Sequence, residues 1–283
     1  QPALPGTSQS AGARSGMVAF AFGNEIGRIW PAGRSTVDEQ TAYFRFEHVY
    51  KSFDVVPVLV DVSFDVQPGE TVAILGRSGV GKSVTLKHIV GFLKPDRGRV
   101  WVAGRDITDA TEDELTEIRK RVAMVFQSGA LFDSLTVAEN VAFPLEERAD
   151  IAEEEKARRV YELLQDVELE EYAERMPGDL STGMKRAVAI ARALAAEPEA
   201  VLYDEPTTMV DPLMAQTITE LIAKLKLKFH KTSVVVTHDV CLATRLADRM
   251  VFLHEGRVAF FGTAAAWEQA REEIIRDFRV LDA

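Results

Sequence analysis

Short apolar runs alternate with stretches of helical periodicity between about residue 45 and residue 262 of the chain. The runs have the length of buried strands, and the periodic stretches are typical of helices that pack on a sheet. This alternation predicts an α/β fold. The predicted strands are Arg45–Tyr50, Val62–Val66, Thr71–Leu75, Arg99–Val102, Val122–Phe126, Ala200–Tyr203, Ser233–Thr237, Met250–Leu253 and Val258–Phe261.

Helices are predicted where apolar residues recur at i, i+3, i+4 and i+7. An Ala-rich helix over Met184–Ala196 is also predicted, because Ser181 just before it is a good N-cap. The apolar sets that define the other helical faces are Leu86, Ile89, Val90 and Leu93, then Val160, Leu163, Leu164 and Val167, then Ile218, Leu221, Ile222 and Leu225.

The two ends of the chain differ from this core. Residues 1–40 are rich in Gly, Ala, Ser and Pro without steady periodicity, which predicts a flexible or weakly docked extension. At the other end, residues 264–283 predict a helical tail that carries Trp267, Ile274, Ile275 and Phe278. Two interpretations of the tail stay open, packing on the core or reaching across a dimer.

Composition narrows the classes of function. A net charge of −11 and a pI near 5.1 disfavour a nucleic-acid surface. The sequence has no run of eighteen apolar residues, so we expect membrane-spanning partners to be separate chains. The single cysteine, Cys241, excludes an internal disulfide and fits a reducing compartment.

The segment after Leu75 matches the G-x-x-x-x-G-K-[ST] pattern of a phosphate-binding loop. A strand enters it and a helix leaves it, so backbone amides and the helix N-terminus can surround a phosphate chain. Lys82 is expected to reach the β- and γ-phosphates, and the Ser83 hydroxyl to bind Mg²⁺. The nucleotide-binding candidates here are Gly76, Ser78, Gly79, Gly81, Lys82, Ser83 and Val84.

Two adjacent carboxylates, Asp204 and Glu205, follow the apolar strand Ala200–Tyr203. The carboxyl ends of strands are where open α/β sheets bind ligands. Asp204 is therefore a candidate metal ligand, and Glu205 is a candidate to activate a water molecule.

These motifs, followed by Leu180-Ser-Thr-Gly-Met-Lys-Arg186, resemble the nucleotide-binding subunits of ATP-binding cassette (ABC) transporters over about Phe44–Gly262. The resemblance implies that Ser181, Gly183 and Met184 of this signature segment contact ATP held by a second subunit. Thr182 departs from the family pattern, which has glycine there, and adds a β-branched side chain where close backbone approach is expected.

The same resemblance assigns further roles. It implies that Gln127 senses Mg²⁺ and the γ-phosphate, that His238 contacts the γ-phosphate, and that Asp211 lies in a loop crossing the dimer interface. Phe53 would stack on adenine, with a buried core position as the alternative. The catalytic set is then Glu205, His238, Lys82 and Gln127, and the metal set is Ser83, Gln127 and Asp204.

The family fold is that of a P-loop NTPase with a mixed central sheet, an antiparallel β part near the N-terminus and an inserted helical subdomain. It implies a nucleotide-binding domain over residues 41–263, with the helical subdomain at about residues 134–177. The implied assembly is a homodimer that binds ATP and Mg²⁺ and drives integral membrane permease subunits.

The segments Phe126–Phe132 and Asn140–Leu145 resemble the Mla/Mkl branch, whose ATPases energise lipid transporters with Mce-domain proteins. This resemblance implies phospholipid transport at the cytoplasmic face of the inner membrane. Two alternatives stay open: an ATPase of a small-nutrient importer, for example for an amino acid, and a soluble ABC clamp on nucleic acid or ribosomes. The acidic charge disfavours the clamp.

Overall fold

A computed structural model describes residues 42–146 and 148–281 of the chain. The predicted N-terminal extension, residues 1–40, lies outside the described residues. The strands are β1 (Phe44–Phe53), β2 (Val56–Val66), β3 (Thr71–Leu75), β4 (Arg97–Val102), β5 (Arg105–Asp106), β6 (Val122–Val125), β7 (Ala200–Asp204), β8 (Thr232–Thr237), β9 (Arg249–His254) and β10 (Arg257–Thr263).

The strands form two sheets. One has the order β10-β9-β3-β8-β7-β6, with β10 antiparallel to β9 and the other neighbours parallel. The second has the order β2-β1-β4-β5 and is antiparallel. The predicted mixed sheet and N-terminal antiparallel part are both confirmed.

The α-helices connect the strands and cover the central sheet. Residues 134–177, the predicted helical subdomain, contain two α-helices, α3 (Val137–Glu146) and α4 (Glu153–Asp166), and the short 3-10 helix Glu170–Tyr172. The helices are α1 (Lys82–Ile89), α2 (Glu112–Arg121), α3 (Val137–Glu146), α4 (Glu153–Asp166), α5 (Thr182–Ala195), α6 (Pro212–Phe229), α7 (Val240–Leu246), α8 (Ala264–Gln269) and α9 (Glu273–Leu281). Of the helices in the described ranges, none has the length and apolar character needed to cross a membrane.

The central strands are buried on both faces, as their continuous apolar sequences indicate. In β3, Val72 and Ile74 face the cluster that includes the antiparallel sheet, whereas Ala73 and Leu75 face the C-terminal tail. Successive side chains of a strand point to opposite faces, so one five-residue strand joins two parts of the core. This double burial fixes the loop that follows Leu75.

The C-terminal tail packs on its own chain. Trp267, Ile275 and Phe278 are buried in the cluster that contains Phe252 of β9. The Phe252 and Phe278 ring centroids lie 4.8 Å apart. Of the two interpretations of the tail, the structure therefore shows packing on the core.

The end of α1 and the start of β2 differ most from what the apolar pattern suggests. The helical pattern after the phosphate-binding loop extends to Leu93, but α1 ends at Ile89. Gly91 adopts a left-handed φ of 68°, and the amide of Phe92 donates to the Lys87 carbonyl, which is typical of a helix C-terminus. Strand β2 begins six residues before the predicted Val62, because its first part pairs with β1 and has one buried residue, Leu59, too few to give an apolar pattern.

Candidate active site

Four parallel strands, β3, β6, β7 and β8, end at the same edge of the central sheet. The segments that follow them carry the phosphate-binding loop, Gln127, Glu205 and His238. They surround a cleft of about 260 Å³, which brings most of the predicted site residues together. The cleft is lined by Ser78, Gly79, Gly81, Lys82, Ser83, Val84, Gln127, Glu205, Thr208 and His238.

The loop between β3 and α1 requires glycine where neighbouring backbone approaches closely. A Cβ at Gly76 would lie 2.6 Å from the carbonyl oxygen of Leu253. Gly81 has a left-handed φ of 111° as the N-cap of α1, and a Cβ there would lie 2.6 Å from the Leu59 side chain. Because α1 begins directly at Lys82, its unpaired N-terminal amides face the cleft region.

Lys82 is nearly buried, with a side-chain exposure of 5%. Its ammonium donates to the carbonyl oxygens of Gly76 at 2.6 Å and Arg77 at 3.2 Å. It also lies 3.0 Å from Oε1 of Glu205. The loop thus orients a buried positive charge toward the cleft.

Ser83 and Asp204 form the pair of oxygen groups beside this charge. The Ser83 hydroxyl donates to Oδ1 of Asp204 at 2.8 Å. Burial raises the pKa of Asp204, the Ser83 hydrogen bond opposes that shift, and the Glu205 charge adds to it. A raised pKa means that the protein holds this carboxylate at an energetic cost that a bound cation would relieve.

Glu205 lies one residue after β7 and has a left-handed φ of 48°, unusual for a non-glycine residue. Its amide still donates to the Val236 carbonyl of β8. Its Oε2 accepts from the Thr208 hydroxyl at 2.9 Å and lies 2.8 Å from Nδ1 of His238. The carboxylate is therefore held from three sides, by Lys82, Thr208 and His238.

The signature segment and Asp211, which directly precedes α6, lie outside the residues that line the cleft. Ser181 caps α5 by accepting from the Met184 amide at 3.2 Å, which confirms the predicted N-cap. Asp211 caps α6 in the same way by accepting from the Met214 amide at 3.0 Å. A Cβ on Gly183 would lie 1.9 Å from the Met214 sulfur, so a larger residue there would require the Met214 side chain to move.

Two further predicted positions are exposed. Phe53 ends β1 with 43% of its surface exposed, so it is not the buried core residue given as its alternative. It is not among the residues that line the cleft. Thr182, the departure from the family pattern, is exposed at the first position of α5, where a β-branched side chain is accommodated.

Comparison with known proteins identifies the family. The family model described as "ABC transporter" matches residues 59–208, more than half of the chain. The chain belongs to the ABC transporter family. It is an ATPase that uses ATP and Mg²⁺, as its homologues do.

Several relatives of this ABC ATPase are named for different substances. Protein TRIGALACTOSYLDIACYLGLYCEROL 3 of Arabidopsis thaliana is 38% identical, covering 81% of this chain and 71% of its own. The probable ribonucleotide transport ATP-binding protein mkl of Mycobacterium leprae is 37% identical, covering 81% and 66%. The methionine import ATP-binding protein MetN of Brucella abortus is 40% identical, covering 75% and 57%. The chain thus spans only about two thirds or less of the mkl and MetN proteins.

Among solved structures, the dimeric ATP-binding cassette MJ0796 bound to ADP and Pi is similar, with a TM-score of 0.71 and 36% identity. The match covers 78% of this chain and 98% of that one. ABC ATPases act as dimers with membrane permease subunits.

Two residues that sequence reasoning did not select belong to the site. Thr208 lines the cleft and donates to Glu205. Arg186 of α5 is buried and donates to the carbonyls of Phe126 and Thr208. A signal for Arg186 was present, because it lies at helical spacing from Gly183 and Ile190 on the buried face of α5.

Proposed function

We propose that this ATPase is the subunit that energises a transporter of phospholipid or a related lipid, with Mce-type partners. The convergence of Lys82, the Ser83–Asp204 pair and the Glu205–His238 pair in one cleft carries the assignment of the chemistry. The lipid substrate is supported by the sequence resemblance to the Mla/Mkl branch and by one relative that is named after a glycolipid.

The phosphate chain of ATP binds along the loop between β3 and α1 in this proposal. Backbone amides and the N-terminus of α1 supply partial positive charge, and Lys82 supplies a full one. Lys82 is nearly buried, so its interaction with a phosphate oxygen is screened less than it would be at an exposed site. Ser78, Gly79 and Val84 complete this wall of the cleft.

The Ser83 hydroxyl and the Asp204 carboxylate fit Mg²⁺, since both are hard oxygen donors and lie 2.8 Å apart. Gln127 lines the same cleft and adds an amide oxygen. When bound, Mg²⁺ neutralises charge on the phosphate oxygens. Asp204 orients the Ser83 oxygen through the hydrogen bond that already joins them.

Glu205 accepts the proton of the attacking water in this mechanism. Its Oε2 is held by Thr208 and His238, so the carboxylate has a fixed orientation toward the cleft. Phosphoryl transfer to water depends mainly on positioning and charge stabilisation, which these contacts provide. His238 would contact the γ-phosphate and keep Glu205 in place.

Each ATP-binding site is completed by residues from a second copy of the chain. Ser181, Gly183, Met184 and Asp211 lie at the capped N-termini of α5 and α6, where backbone amides can meet an anion. We assign them to the ATP held by the partner subunit. Phe53, exposed at the end of β1, is assigned to adenine stacking.

Partner recognition is assigned to the segments that resemble the Mla/Mkl branch. Phe132 and Phe143 form an exposed aromatic pair with ring centroids 4.4 Å apart. The buried Asn140 side chain fixes the backbone of Phe132 by accepting from its amide and donating to its carbonyl. An exposed but rigid aromatic pair fits a permease surface. This fit supports the proposal that the subunit works at the cytoplasmic face of the inner membrane.

The experiment is purification of the full chain from native membranes in mild detergent, with mass spectrometry of the proteins and lipids that accompany it. The expected result is an integral membrane permease, an Mce-domain protein and bound phospholipid. A nutrient permease with a soluble binding protein would contradict the lipid assignment and leave the ATPase chemistry intact.

A second candidate is import of an amino acid. MetN of Brucella abortus, named for methionine import, is 40% identical to this chain. The same purification separates the two functions, because a methionine importer would retain methionine and no phospholipid. ATPase stimulation by methionine, with none by phospholipid vesicles, would favour this candidate.

A further inference from the structure

Arg186 is a buried cation held by carbonyl oxygens. It lies in the second turn of α5, five residues after the cap Ser181, and only 4% of it is exposed. Its Nη1 donates to the Phe126 carbonyl at 3.1 Å and its Nη2 to the Thr208 carbonyl at 3.3 Å. Within residues 42–146 and 148–281 the guanidinium has no carboxylate partner, and its Nε has no hydrogen-bond partner.

Such an arrangement is unfavourable for stability alone. A buried charge without a counter-charge carries a desolvation penalty that neutral carbonyls offset only in part. Burial accordingly lowers the pKa of Arg186. An apolar side chain of similar length, such as methionine, would fill the position without that penalty, so a role beyond packing is indicated.

The two carbonyls belong to the segments that carry the proposed catalytic groups. Phe126 immediately precedes Gln127, and its carbonyl also accepts from the Gly129 amide, which closes the turn around Gln127. The Thr208 hydroxyl donates to Oε2 of Glu205, and the Thr208 amide donates to the Glu205 carbonyl at 3.3 Å. One guanidinium therefore joins α5, the signature helix that begins within the signature segment, to the loops of both Gln127 and Glu205.

We propose that Arg186 is a positioning residue for hydrolysis, which fixes Gln127 and Glu205 relative to the signature helix of the same chain. Arg186 contacts neither the Gln127 nor the Glu205 side chain, and it acts through the backbone carbonyls of Phe126 and Thr208. Because α5 begins at the residues assigned to the partner's ATP, Arg186 makes hydrolysis in one cleft depend on how α5 is placed. This inference rests on the roles proposed for Glu205 and Gln127.

The test uses Arg186→Met and Arg186→Lys in the full chain bound to the permease with which it co-purifies. The control is Arg119→Met, since Arg119 of α2 also donates to a backbone carbonyl, that of Val90 at 3.0 Å, and does not line the cleft. For Arg186→Met we expect kcat to fall roughly 100-fold with KM for ATP within about threefold, because misplaced catalytic groups lower kcat. Arg186→Lys, which can reach only one carbonyl, should be intermediate, and Arg119→Met should keep kcat within about threefold.

A second readout separates positioning from a general loss of structure. In a Glu205→Gln background, Arg186→Met should still form the ATP-dependent dimer, since Ser181 and its cap are untouched. Loss of that dimer, a kcat loss no larger than that of Arg119→Met, or a rise in KM that accounts for the loss would each overturn the inference. Should Arg186→Met not fold, Arg186→Lys at full kcat overturns it alone. If Glu205→Gln by itself retained turnover, the proposed role of Glu205 would fail instead.

Discussion

Nζ of Lys82 lies 3.0 Å from Oε1 of Glu205, and their side chains are 5% and 12% exposed. The residue that would bind the phosphates is thus paired with the residue that would activate water. ATP must attract Lys82 away from this carboxylate or share it, so the ion pair opposes nucleotide binding. The same pairing holds the two groups close to their working positions.

Glu205→Gln should therefore have two effects. Turnover should fall by roughly 10²–10⁴-fold, because glutamine cannot accept the water proton. ATP affinity should rise, by about fivefold in Kd, because Lys82 loses its competing carboxylate and the γ-phosphate loses a like charge; fivefold corresponds to about 1 kcal/mol. Phosphate release and equilibrium binding of ATP-Mg²⁺ measure the two effects separately.

Glu199→Gln is the matched control for that substitution. Glu199 immediately precedes β7, at the opposite end of the strand from Glu205, and pairs with Arg121. The control should change neither kcat nor nucleotide affinity by more than about twofold, since partly exposed ion pairs contribute little. Unchanged turnover in Glu205→Gln would remove Glu205 from the mechanism.

Asp204→Asn should stabilise the protein at neutral pH while impairing hydrolysis. Burial raises the folded-state pKa of Asp204 above the ordinary 3.8. Between 3.8 and that raised pKa the folded state binds more protons than the unfolded state, so the free energy of unfolding falls as pH rises. Asparagine has no ionised form, so it removes this loss of stability while keeping an oxygen for Ser83.

Thermal unfolding without nucleotide at pH 7 and pH 4 checks this expectation. The Tm of Asp204→Asn should exceed that of the wild type by about 1–3 °C at pH 7, and the difference should shrink at pH 4. The Mg²⁺ concentration for half-maximal ATPase activity should rise at least about tenfold. A lower Tm at pH 7 would show that the ionised carboxylate is stabilising.

Gly183→Ala tests whether glycine in the signature serves packing, nucleotide contact or both. The added Cβ would meet the Met214 sulfur at 1.9 Å, so the Met214 side chain must move, and the overpacking that remains should destabilise the fold by no more than about 1–3 kcal/mol. Met214→Ala in the same chain makes room and should restore most of the stability. Turnover that stays low in the stable double variant supports the contact with the partner's ATP, whereas full recovery would leave Gly183 with a packing role only.

The parts of the site that the sequence predicts are those in which residue order fixes geometry. The loop Gly76–Ser83 lies between a strand and a helix, and Asp204 ends a buried strand, so chain connectivity alone places them at one edge of the sheet. Contacts between distant segments escape this reasoning. Arg186 and Phe126 are sixty positions apart, and only the packing of α5 on the sheet brings them together.

The apolar pattern also fails to predict helix boundaries that are set by the local backbone conformation. The apolar series through Leu93 continues beyond α1, but Gly91 ends the helix because it adopts a left-handed conformation. A Cβ on Gly91 would lie 2.4 Å from the Leu115 side chain of α2, so a side chain at position 91 would collide with Leu115 in its present position. Tertiary packing thus confirms the local stop.

Phe132→Ala combined with Phe143→Ala should weaken attachment to the permease. The two rings contact each other and are 42% and 47% exposed, so together they offer a rigid apolar anchor of the kind that dominates interface energetics. We expect at least a tenfold loss of permease recovered per ATPase subunit, with ATP binding unchanged. Phe92→Ala is the control, because Phe92 is 54% exposed but follows α1, outside the helical segment. Equal permease recovery from the double variant and the control would place the permease contact on another surface.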